Sequence, residues 1–119
     1  MKYVPQMPRS VKVMGQRFTI EKYAHINEEI DGHNFNLLGH ADSDEQKIRL
    51  TTDGIGDDRK REVFLHENLH AMVNVAGLPR DILIDDKDEA AIKRLAPILL
   101  LWLRDNPRAV AYLMESNRL

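Results

Sequence analysis

Val11 and Val13, then Phe18 and Ile20, alternate with polar neighbours on either side of Gly15-Gln16. A period of two broken at glycine predicts two short strands over 11–23, closed by a Gly-first hairpin turn. The next stretch, 24–36, reads two ways: Ile26 and Ile30 have helical spacing, whereas Asp31-Gly32 is a strong turn signal. Residues 35–40 and 46–51 again carry spaced apolar positions, with Asp42-Ser43-Asp44-Glu45 as the polar turn of a second hairpin. At Asp57-Asp58 the period lengthens to about 3.6. Val63, Leu65, Leu69, Met72, Val73 and Ala76 mark one broad apolar face, predicting a helix over 58–76 that Gly77 and Pro79 stop. A second helix is expected from 86–88, where carboxylates precede Ile92, Leu95, Leu99, Trp102 and Leu103, with a kink at Pro97. Asn106-Pro107 reads as the N-cap and first position of a short third helix through Val110, Leu113 and Met114. Strands first and helices after predict one α+β domain over 1–119. A small N-terminal antiparallel sheet packs on the 58–76 helix, and two C-terminal helices follow.

Composition narrows the chemistry. The 119 residues suffice for one core, and 43% apolar with 30% charged residues is the balance of a folded protein. The 17 Lys plus Arg against 19 Asp plus Glu leave a formal net charge of −2 without a long basic block, so nucleic acid is not an expected partner. The apolar run Leu95 to Leu103 is far shorter than the ~20 residues that cross a bilayer, and Met1 to Ser10 lacks the apolar run of a secretory signal. A cytoplasmic protein without a membrane partner is expected. There is no cysteine, so any metal must be held by His and carboxylate groups.

One motif supplies such groups. His66-Glu67-Asn68-Leu69-His70 is H-E-x-x-H, and residues four apart on a helix lie one turn above each other. Both imidazoles can therefore reach one Zn2+ ion, while Glu67, displaced around the helix, stands beside the metal as a general base. A catalytic zinc takes three protein ligands, so a third is needed. Glu89, in the expected first turn of the next helix, is the choice, with Asp85, Asp86 and Asp88 as neighbours of the same chemistry. Oxyanion stabilisation could come from Tyr112, His40, His33 or Tyr23, among which spacing does not select. Asn74, one turn beyond His70, could orient a ligand. The strand 47–52 leads toward the metal helix and is expected as the sheet edge facing the cleft, with Lys47 and Arg49 as substrate-binding residues. Leu95, Leu99, Trp102 and Leu103 read as core, and Arg59, Lys60 and Arg61 as a solvated helix face.

On His66 to His70 followed by Glu89-Ala90, the chain resembles zinc metallopeptidases of the gluzincin type. The compact arrangement is similar to the ImmA/IrrE-like family of phages and mobile elements, several of whose members cleave repressor proteins. The resemblance spans Leu37 to Leu103, including Gly39, Asp42 and the strand Lys47 to Leu50. It implies a minimal zincin-like fold, His66, His70 and Glu89 as zinc ligands, Glu67 as base, and a protein or peptide substrate. The alternative is a non-catalytic zinc-binding or mobile-element accessory protein on the same scaffold.

Overall fold

A computed structural model describes the backbone of residues 6–30, 33–78 and 88–115, and side chains over 6–27, 37–78 and 93–115. Among the described residues six strands, β1 (Ser10–Val13), β2 (Gln16–Tyr23), β3 (Ile26–Ile30), β4 (His33–Leu37), β5 (Gly39–Asp42) and β6 (Lys47–Thr51), precede three helices. These are α1 (Asp57–Val75), α2 (Asp88–Asp105) and α3 (Pro107–Met114). The fold is α+β, with a four-stranded sheet in the order β1-β2-β6-β5 and a separate two-stranded ribbon of β3 and β4.

The first hairpin turns on Met14 and Gly15, with φ of 50° and 81°, and Val13 pairs with Gln16. Two successive left-handed residues match the right-handed twist of the flanking strands. The turn therefore sits one residue earlier than the Gly-first reading, with glycine second. At the β5–β6 hairpin, Asp42 Oδ1 accepts hydrogen bonds from the Asp44 and Glu45 N–H groups, both at 3.0 Å. These bonds, that of Glu45 foremost, hold the Asp42 carboxyl below its usual range. The ambiguous stretch after Tyr23 is the β3–β4 ribbon, and Asp31-Gly32 lie outside the described residues.

The expected all-antiparallel sheet is mixed instead, because β2 and β6 run parallel from Thr19↔Lys47 to Tyr23↔Thr51. A parallel pair needs a long crossover, and the chain between the two strands, which includes the ribbon and β5, supplies it. Consequently β6 lies inside the sheet, and the edges are β1 and β5.

Val11, Val13, Phe18, Ile20, Ile48 and Leu50 form the buried face of the sheet. Phe64, Ala71 and Met72 from α1, Trp102 from α2, and Ala109 and Tyr112 from α3 cover it. The buried face of α1 is turned from the predicted one: Leu65 and Val73 are only half-buried and Leu69 is exposed, whereas Arg61, Glu67 and Asn68 are buried. Arg61 is thus no solvated charge; it binds Asp58 at 2.8 Å and stacks 5.5 Å from the Tyr112 ring centroid. Of the expected core stripe of α2, Trp102 is buried, Leu95 is half-buried and Leu99 and Leu103 are exposed, while the Ile92 side chain lies outside the described residues. Among the described residues no helix is long and apolar enough to cross a membrane.

Asn106 was expected to cap α3, but its side chain makes no capping bond. Its carboxamide accepts from Lys12 N–H (2.7 Å) and donates to the carbonyls of Lys12 (2.9 Å) and Trp102 (2.8 Å). The α2–α3 junction is thereby pinned to the β1 edge by groups that would otherwise be buried unpaired.

Candidate metal centre

The helix α1 starts after an extended Gly56, with Asp57 and Asp58 in its first turn where the helix dipole favours negative charge. Helical spacing places His66 and His70 one above the other, with ring centroids 4.7 Å apart and planes at 75°. Their Nε2 atoms are 3.1 Å apart. Two Zn–N bonds of about 2.0–2.1 Å at a tetrahedral angle would span about 3.3 Å, so the pair fits one ion almost without movement. Without a metal the same distance requires one ring to donate N–H to the other.

Glu67 points to the buried side of this pair. Its Oε1 lies 3.9 Å from His66 Nε2, and one ligand atom from each of His66, Glu67 and His70 falls within 4.8 Å of the others. Burial pushes the Glu67 carboxyl above its usual range, opposed by His70, His66 and His40 nearby. Both imidazoles are exposed, so the donor set faces solvent while the carboxylate is held against the sheet.

Edge strand β5 does the holding. A Cβ on Gly39 would come within 2.8 Å of Glu67 Cγ and 3.1 Å of Val63 Cγ1, so only glycine lets the strand approach α1 this closely. Leu38, Gly39, Val63, Arg59 and Glu62 join His66 and Glu67 around a cavity of about 210 Å³. From behind, Asn68 donates to the Phe64 carbonyl (2.8 Å) and accepts from Trp102 Nε1 (3.1 Å), fixing the turn of α1 that carries His66 and His70 to α2. Sequence reasoning missed Gly39, Asn68 and Trp102 as supports. An Asn inside the motif, on a helix with Trp at the centre of the next, was the available signal.

The other expected residues fall elsewhere. The main chain of Glu89 lies in the first turn of α2, but its side chain and that of Asp88 are outside the described residues, as are Asp85 and Asp86. Lys47 and Arg49 do not flank the site, because β6 lies inside the sheet and its side chains alternate between the two faces. Strand β6 buries Ile48 and Leu50, so alternation turns Lys47 and Arg49 to the opposite face of the sheet. There Arg49 pairs with Glu45 (2.9 Å) and Glu21 (3.5 Å), and Lys47 with Glu45 (3.5 Å). Tyr112 is buried edge-on to Phe64, and the exposed Tyr23 hydroxyl donates to Glu21, so neither faces the imidazoles. His40, on the β5 edge, is the one oxyanion candidate close enough to influence Glu67; the His33 side chain is outside the described residues. Asn74 is exposed on α1.

A scan against protein-family models finds no match, and searches of curated proteins and of solved structures find none either.

Proposed function

We propose that the protein is a zinc-dependent peptidase of the H-E-x-x-H kind, cleaving a peptide bond in a protein substrate in the cytoplasm. The observation that carries this reading is the pair of Nε2 atoms at 3.1 Å beside the buried Glu67 carboxylate. His66 and His70 would hold the ion, and Glu89 remains the proposed third ligand. Zinc in that position would supply a Lewis acid and a water acidified toward neutrality.

The chain's own groups account for the rest. Glu67 Oε1 is the group that would accept a proton from the attacking water and return it to the leaving nitrogen as the C–N bond breaks. The β5 edge is where substrate would lie. Thr51 N–H bonds the Leu38 carbonyl, so alternation turns the peptide groups of Gly39 and Ala41 outward, and an extended segment could pair with them. The 210 Å³ cavity beside His66 would then receive a substrate side chain.

Glu67→Gln separates binding from catalysis. The variant is expected to retain zinc and to lose peptide cleavage by about 10²-fold or more, measured on a degenerate quenched-fluorescence peptide library. Normal cleavage by this variant would remove Glu67 as the base. Full zinc binding without cleavage by the wild type would favour the non-catalytic alternative.

A further inference from the structure

The opposite edge of the sheet carries a different chemistry. Residues 6–9, β1 and the α2–α3 junction border an open groove of about 880 Å³. Among the described residues Arg9, Lys12, Arg17 and Arg108 line it against a single carboxylate, Asp105, in a chain whose net charge is −2. Among the described residues none of these four cations is paired with a carboxylate, and Arg17 bonds only the Ser10 hydroxyl, at 2.8 Å. Gathered like charges repel one another, and an anionic ligand relieves that repulsion.

The lining indicates which anion. Beside the cations the lining includes the half-buried Pro8 and the exposed Pro107 and Ala111, and among the described residues no aromatic residue lines the groove. Bases would therefore lack the stacking platform that single-stranded nucleic acid uses. Four cations spread along a groove of this size also exceed what one phosphate can engage. The main chain of β1 faces the same way. The Asn106 carboxamide bonds both main-chain groups of Lys12 as a neighbouring strand would, and a period of two directs those of Ser10 to the same side. A bound segment can extend the row that Asn106 begins.

We infer that this groove binds an extended acidic segment of a partner protein, with apolar residues between its carboxylates. Binding there is independent of the metal centre, which adjoins the other sheet edge.

The test is fluorescence anisotropy of the full chain with a labelled peptide alternating Glu and Leu. The same peptide with Lys for Glu and a labelled single-stranded DNA serve as alternatives, and inorganic phosphate as competitor. The Glu peptide is expected to bind, more weakly as salt rises, and the Lys peptide not to bind. Combined Arg9→Glu and Arg108→Glu, both at exposed positions, should weaken binding by at least about tenfold with an unchanged melting temperature, while His70→Ala binds normally. If the reversal lowers the melting temperature, Arg9→Gln with Arg108→Gln takes its place. The inference is overturned by failure of the Glu peptide to bind, by tighter binding of DNA or full displacement by phosphate, by undiminished binding to the arginine variant, or by loss of binding in His70→Ala.

Discussion

Gly39 shows how one missing side chain can position a carboxylate. Adding a methyl group places it 2.8 Å from Glu67 Cγ, between the edge strand and α1. Gly39→Ala should therefore destabilise the protein by about 1–3 kcal/mol, as overpacking does, and displace Glu67 from the imidazole pair. Denaturant unfolding measures the first effect and cleavage rate the second. Asp42, at the far end of the same strand, provides a pH-dependent contact. Its carboxyl is held below the usual range by the Glu45 and Asp44 N–H groups. The unfolded chain takes up this proton first, so the contribution is complete above the ordinary Asp pKa and disappears as pH falls through the depressed folded value. The stability difference between wild type and Asp42→Ala should follow that course in urea titrations at stepped pH. A constant difference would mean that the carboxylate is not the stabilising form.

Between elements, buried asparagines take the place of apolar packing. Asn68 connects the His66–His70 turn of α1 to Trp102 on α2, and Asn106 connects the α2–α3 junction to β1. Asn68→Ala should cost about 2–4 kcal/mol, from the cavity and from an indole N–H left without a partner. Trp102→Phe in the same background should recover little of it, whereas in the wild type it leaves the Asn68 oxygen unpaired. These joints explain what the sequence made legible. The H-E-x-x-H pair and the extent of α1 depend on local spacing, and local spacing is visible in a chain. The burial of Asn68 in place of Leu69 is decided by a partner 34 positions away, which no helical period encodes. Asn106 satisfied every local rule for a cap and was taken by a strand.

For the molecule as a whole, strand order decides which surface lies beside the imidazole pair. The separated parts of the sequence favoured hairpins, and hairpins alone would have left β6 at an edge with Lys47 and Arg49 near the cleft. The parallel pairing of β2 with β6 makes β5 the edge instead, bringing Gly39 to Glu67, while alternation along β6 turns both cations to the far face. The candidate metal centre and the basic groove thus adjoin opposite edges, β5 and β1, of one sheet. The central claim is that His66 and His70 chelate zinc. Purified chain, exhaustively dialysed and assayed by elemental analysis, should carry about one zinc per chain, and His66→Ala and His70→Ala should each lose it. A wild type without zinc after loading, or both variants retaining it, would contradict the claim.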